Sequence, residues 1–253
     1  MSTILSRRKF ITTSLATVTG VAGVSVAARI ADGYGLLAPD HGGIFGVGES
    51  LTYGAQRLLM SVHSRAREFD RSDISRVSPV NHAHPRFDPY ERLLFNKFAD
   101  WRFYVDGLVE RPAAFSLADL KRMPSRTQIT QLMCEEGWSF IAAWTGVPLS
   151  HILQMVGVHL AAKWVLFYPF DDFWGSIDMP EALHPQTLLA YGMNGEDLSA
   201  DHGAPIRLRV PRQLGYKNLK FLARISVTDR LDNVRDGNGS AAPELGYSWY
   251  GGI

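Results

Sequence analysis

Cys134 is the only cysteine in a chain of 253 residues, so no intramolecular disulfide can hold the fold together. Stability must come from packing, and 46% hydrophobic against 20% charged residues is enough for one large domain or two small ones. The formal net charge of +1 leaves no global field to draw in nucleic acid or an anionic membrane, and nucleic-acid binding is excluded as a leading function. Any special sulfur chemistry falls on Cys134. A lone cysteine is as a rule a small buried apolar group; committed to a metal, the same thiolate needs other ligands, because one Cys without a His pair makes neither a zinc nor an iron–sulfur site.

The first residues differ from the rest. Ser6-Arg7-Arg8-Lys9-Phe10-Ile11 precedes a weakly apolar run, Thr12 to Ala28, rich in Ala, Val, Gly and Thr. We read 1–31 as a twin-arginine signal peptide directing export to the periplasm. Val26-Ala27-Ala28 only approximates a cleavage site, so the segment could also stay on as an N-terminal tether. Export of an already folded protein suits one that takes up a complex cofactor beforehand.

Residues 32–100 read as an N-terminal arm with one helix packing on the core, from Ser50 to Arg67, with Leu51, Ala55, Leu58, Leu59 and Val62 at helical spacing. Residues 101–253 read as a single catalytic domain. Trp101, Phe103 and Val105 alternate with Arg102, Tyr104 and Asp106 as in a half-buried strand, and Ser116 with Asp119 marks a capping box for a short helix ending near Met123-Pro124. A strand over 126–134 delivers Cys134 at its end. Leu149, Ile152, Leu153 and Val156 predict a helix closed by Gly157. Further strands are predicted at 164–168, 206–210 and 221–227. In the second of these Ile206, Leu208 and Val210 are read as the core face, Arg207 and Arg209 as a cationic one. Strands mix with short helices without a βαβ rhythm, so the class is α+β with mixed sheets.

Met133-Cys134-Glu135-Glu136-Gly137-Trp138-Ser139 and Trp144-Thr145-Gly146-Val147-Pro148-Leu149 resemble the Cys-x-Glu-x-Trp-Ser and Trp-x-Gly-x-Pro-Leu segments of the sulfite oxidase fold family, closest to its bacterial stand-alone molybdopterin-dependent members. Gly203-Ala204-Pro205-Ile206-Arg207-Leu208-Arg209-Val210-Pro211 and Leu214-Gly215-Tyr216-Lys217-Asn218-Leu219-Lys220 continue the likeness, which runs over about residues 50–253. The resemblance implies one molybdenum-molybdopterin per chain, with Cys134 as metal ligand and catalytic residue. It implies that Arg207, Lys217 and Lys220, with the backbone at Asn218 and Leu219, hold the phosphate tail, and that His202, Asn81 and His82 reach the pterin. Where some relatives carry a Thr near the metal, this chain has Tyr168-Pro169.

Adjacent carboxylates usually point apart, so Glu136 is read as bracing its loop rather than as half of an acid–base pair with Glu135. The resemblance implies oxygen-atom transfer. The acidic neighbours of Cys134 favour reduction of an S-oxide or N-oxide, free or protein-bound, over the alternative, oxidation of sulfite; a cofactor-less binding module is a third reading. A Cys-x-x-Cys-His haem motif does not occur, so electrons are expected from a separate partner, a membrane cytochrome or a soluble carrier, serving a monomeric catalytic subunit.

Overall fold

The computed structural model describes residues 46–59 and 64–253; the expected signal at 1–31, with Arg7 and Arg8, and Val62 of the predicted arm helix lie outside them. Two five-stranded sheets form the body. The first has the order β2-β1-β10-β5-β6, built from β1 Phe103–Gly107, β2 Ala113–Phe115, β5 Trp164–Pro169, β6 Gly175–Asp178 and β10 Leu222–Thr228. Its β1 and β10 run parallel and its other pairs antiparallel. The second is antiparallel, with β3 Arg126–Met133, β4 Ser139–Pro148, β7 Leu188–Met193 and β8 Glu196–Asp197 in order, and β9 Arg207–Arg209 paired to β7. Mixed sheets with short helices bear out the α+β class.

Local chemistry explains the elements. Period-two alternation buries Trp101, Phe103 and Val105 while Tyr104 stays half exposed. Ser116 Oγ accepts from the Asp119 N–H and the Asp119 carboxylate accepts from the Ser116 N–H, starting a helix at Leu117–Arg122. The helix Leu149–Val156 buries its four predicted apolar residues and ends on Gly157 at φ 69°, in the left-handed region glycine tolerates. Strand β5 divides two clusters: Val165 and Phe167 join the main core, Trp164 and Leu166 a second core with Tyr53, Leu231, Trp249 and Tyr250.

The arm departs from expectation in two ways. Its first helix, α1, is Gly46–Leu59, and it turns the expected apolar stripe outward: Leu51, Leu58 and Leu59 are 69%, 75% and 83% exposed. It attaches by polar groups instead, because the strongest partners beneath it are the buried carboxylates of Asp178 and Glu181. Tyr53 Oη donates to Asp178 (2.6 Å), and the Arg57 guanidinium bridges Asp178 (2.6 Å) and Glu181 (3.2 Å). A second helix, α2 Asp88–Phe95, was not foreseen; its Tyr90 is fully buried and donates to the Ala204 carbonyl at 2.7 Å. Between them the chain bridges Glu68 to Thr130 of β3, the Phe69 and Ser75 N–H groups donate to the carbonyls of Ile129 and Ile141, and the Ile141 N–H donates to Ser75 Oγ.

Candidate active site

Cys134 stands where β3 gives way to β4. Its N–H donates to the Trp138 carbonyl at 2.8 Å, and Gly137, at φ 92°, closes the turn. Glycine is needed there because side-chain-bearing residues rarely adopt that conformation. The register of β3 and β4, from Arg126 opposite Gly146 to Met133 opposite Ser139, therefore fixes where the sulfur emerges. It borders a cavity of about 360 Å³.

Two carboxylates meet the sulfur. Glu135 Oε2 lies 3.6 Å and Glu136 Oε2 3.8 Å from Sγ, so the neighbouring acids converge rather than point apart, contrary to expectation. Glu136 also accepts from the Trp138 indole at 3.0 Å, which is the loop-bracing role expected of it. Burial, reinforced by the two carboxylates, pushes the Cys134 thiol up to about 11. The same negative charges favour a cation in place of the thiol proton.

The opposite wall is cationic. Arg207 and Arg209 are 5% and 0% exposed, so the predicted cationic face of this strand is not a solvent face. β9 is covered on that side by Trp144, whose ring lies 5.0 Å from the Arg207 guanidinium and 5.3 Å from that of Arg209. Arg207 donates only to neutral carbonyls, those of His202 and Asn218, both at 2.9 Å, and its Nε is buried with no partner. Burial alone lowers its pKa to about 10. Arg209 donates to Asn218 Oδ1 (2.6 Å) and to the Gln131 carbonyl, linking the Asn218 loop to the strand that carries Cys134. Lys220 is pushed down to about 8, by burial first and Arg207 second; its ammonium donates to the carbonyls of His82 and Asp201. Buried cations without carboxylate partners, as Arg207 and Arg209 are among the described residues, cost stability, and an anion at Arg207 would relieve part of that cost.

Cys134, His202, Arg207, Asn218, Leu219 and Lys220 all line this one cavity, with Asn81 and His82 contributed by the arm. The His202 ring is already engaged at both nitrogens, with Ser199 Oγ at 2.8 Å and the Ser78 carbonyl at 3.3 Å. Lys217 departs from the expected cluster. Its ammonium is buried on the far side, donating to the carbonyls of Ser176 (2.7 Å) and Trp249 (2.6 Å), because the turn at Gly215–Lys217 aims it at the tail. Tyr168, likewise, packs on Trp174 and under Arg224 rather than facing the cavity.

Sequence reasoning did not single out Asp171, Tyr216 and Tyr247, which also line the cavity. Tyr216 sits inside the quoted Leu214–Lys220 motif, and it stacks on Tyr247 of the aromatic tail with ring centroids 5.2 Å apart. Asp171, in an acidic doublet after β5, carried no local signal.

Two sheets that bring one thiol, the buried Arg207 with no carboxylate partner and the half-buried Lys220 to a single cavity define a protein equipped to hold an anionic group at its cations and a soft metal at its sulfur. The chain belongs to the oxidoreductase molybdopterin binding domain family, whose model matches residues 92–234. It is 42% identical over 154 residues, 61% of this chain and 56% of the relative, to a putative protein-methionine-sulfoxide reductase subunit YedZ1 of Azospira oryzae. With the protein-methionine-sulfoxide reductase catalytic subunit MsrP of Xanthomonas axonopodis pv. citri it is 36% identical over 160 residues, 57% of this chain and 50% of the relative. The chain thus spans about half the length of the curated relatives it matches. The crystal structure of the sulfane dehydrogenase SoxCD from Paracoccus pantotrophus superposes with a TM-score of 0.50 at 30% identity, over 52% of this chain and 39% of that one.

Proposed function

We propose that this chain is the catalytic unit of a periplasmic molybdenum-molybdopterin enzyme that reduces S-oxides, with sulfoxides of methionine, free or in proteins, as the leading substrates. The observation that carries the reading is the pairing, across one cavity, of the Cys134 thiol with Arg207, a buried cation that has an unused Nε and no carboxylate. The residues present fit the cofactor. A thiol is the right donor for molybdenum, and Arg207, Lys220 and the Asn218–Leu219 backbone offer charge and donors to a phosphate.

Bound there, the cofactor supplies two-electron oxygen-atom chemistry: a sulfoxide, two electrons and two protons give a thioether and water. The chain's part is orientation, proton supply and exclusion. Arg207 and Lys220 would hold one end of the cofactor and Cys134 the other. Glu135 and Glu136, converging on the sulfur, are placed to exchange protons beside the reacting centre. Their charges also repel a dianion, which weighs against sulfite as substrate. Phe173, Trp138, Tyr216 and Tyr247 give the cavity apolar walls suited to a neutral thioether side chain. Electrons come from a separate redox partner, and export follows the twin-arginine segment.

The test is expression in a host competent for pterin synthesis, followed by metal analysis and turnover with an artificial electron donor on a panel of S-oxides, N-oxides and sulfite. About one molybdenum per chain and preferred turnover of S-oxides support the reading. A chain without molybdenum or pterin, or one that oxidises sulfite and leaves sulfoxides untouched, refutes it.

A further inference from the structure

Helix α1 is amphipathic the wrong way round for a helix that packs on a domain. Its inward residues are Glu49, which accepts from Ser248 Oγ at 3.1 Å, Tyr53 and Arg57, at intervals of four. Its outward residues are Val47, Leu51, Leu58 and Leu59, between 69% and 83% exposed, with Ala55 exposed between them. The spacing i, i+4, i+8, i+11 makes Val47, Leu51, Ala55 and Leu58 one continuous stripe. Ordinary packing does the reverse, and scattered exposed leucines need no explanation, but an aligned stripe marks a surface that something covers.

Two further observations bear on what covers it. Cations follow the stripe closely in the chain: the Ser64 carbonyl accepts from Arg212, which also grips the Glu181 that Arg57 holds, so the backbone just before Arg65 lies at the carboxylate that anchors the C-terminal half of α1. Both are exposed, and neither forms an ion pair among the described residues. A leucine face followed in the chain by two exposed arginines, of which Arg67 lies over the Phe69 ring, is complementary to a bilayer surface carrying anionic headgroups. In addition, the apolar run Thr12–Ala28 lies close in sequence. The stretch 29–45 between that run and the helix spans at most about 60 Å when extended. A run left in the membrane would hold α1 within reach of the same surface.

We propose that the outer face of α1 lies in the interface of an anionic lipid bilayer, with Val47, Leu51, Leu58 and Leu59 in the acyl boundary and Arg65 and Arg67 at the headgroups. This contact holds the domain at the membrane independently of the Cys134 cavity, and it does not rest on the reaction proposed above.

The experiment is co-sedimentation of the full chain with vesicles of phosphatidylcholine alone or with one third phosphatidylglycerol, beside Leu51→Gln/Leu58→Gln and Arg65→Gln/Arg67→Gln. The leucine variant should keep the wild-type melting temperature, since both side chains already face water, and should bind anionic vesicles on the order of tenfold to a hundredfold more weakly. The arginine variant should lose its preference for anionic over neutral vesicles. A second leucine-face pair, Val47→Ser/Leu59→Ser, guards against an unexpected folding defect and should behave alike. Equal binding by wild type and both apolar-face variants would assign the membrane contact to the N-terminal run alone and overturn the proposal. So would a wild-type chain that ignores vesicles, or one that dimerises in sedimentation velocity and becomes monomeric in the leucine variants, which would make a second copy the occupant.

Discussion

Replacing Arg57 by Met should destabilise the protein by about 3–5 kcal/mol at neutral pH, the usual cost of removing one partner of a buried ion pair. Arg57 is 7% exposed and Asp178 3%; the guanidinium reaches Asp178 at 2.6 Å and Glu181 at 3.2 Å and stacks 4.7 Å over the Tyr250 ring. Glu181 keeps a second cation, Arg212, at 2.8 Å, but among the described residues Asp178 keeps only the Tyr53 hydroxyl and the Glu181 N–H. The uncompensated charge is therefore that of Asp178. In a chain of this size each kcal/mol lowers Tm by about 2–4 °C, so the expected drop is about 6–20 °C. Burial already raises the Asp178 pKa above the ordinary carboxyl value, despite Arg57. A carboxyl whose folded pKa exceeds its unfolded one stabilises the fold when protonated, and that contribution is lost as pH rises through the folded value. Removing Arg57 raises it further, so the deficit should be larger at pH 8 than at pH 5. The assay is urea unfolding at both pH values on preparations of equal pterin content, with Asp178→Asn and the double variant completing a cycle. In the Asp178→Asn background the cost of Arg57→Met should fall by at least about 1–2 kcal/mol. An unchanged cost there, or a single-variant cost below about 1 kcal/mol, would show that Arg57 acts by packing and not by charge.

Cys134→Ser should leave pterin content intact and abolish turnover, because a hydroxyl is a harder, less acidic ligand of nearly the same volume; wild-type activity in that variant would remove Cys134 from the chemistry. Arg207→Ala with Lys220→Ala should release the pterin, with affinity falling on the order of a hundredfold to ten-thousandfold as charge-assisted hydrogen bonds are lost, measured as pterin fluorescence after acid release. Gly215→Ala places a methyl 3.2 Å from Glu135 Oε2 and 3.3 Å from Cys134 Cα, and the resulting shift should lower kcat on the order of tenfold at unchanged pterin content. Lys220 falls from 10.5 to about 8 in the fold, so between those values the unfolded chain binds more protons and the pterin-free protein should gain stability as pH rises; Lys220→Met should remove that part of the slope in unfolding measurements from pH 7 to 10.

Much of the body was legible because a single period governs it. Phe103 and Val105, or Leu149, Ile152, Leu153 and Val156, each face one core, and the pattern and the packing give the same answer. Helix α2 had a local signal that went unused: Asp88-Pro89 puts Pro in the first helical turn, ahead of Tyr90, Leu93 and Leu94. The two failures of a different kind share a cause. The leucines of α1 were assigned to the core, and Arg207 and Arg209 to a cationic face turned away from it, by the rule that charged and apolar groups separate. That rule assumes the chain meets only itself and water. On β9 it fails because Trp144 covers both guanidiniums; in the function proposed above, a bound anion would offset that burial. On α1 it fails because the buried carboxylates of Asp178, at the end of β6, and Glu181, in the short helix after it, hold Tyr53 and Arg57 inward, which turns the leucines outward; each exposed Leu forgoes about 1.5–3 kcal/mol that another surface can still recover. Inverted amphipathicity is thus a local minimum the chain reaches by satisfying its charges first, and it leaves the apolar face available to an outside partner.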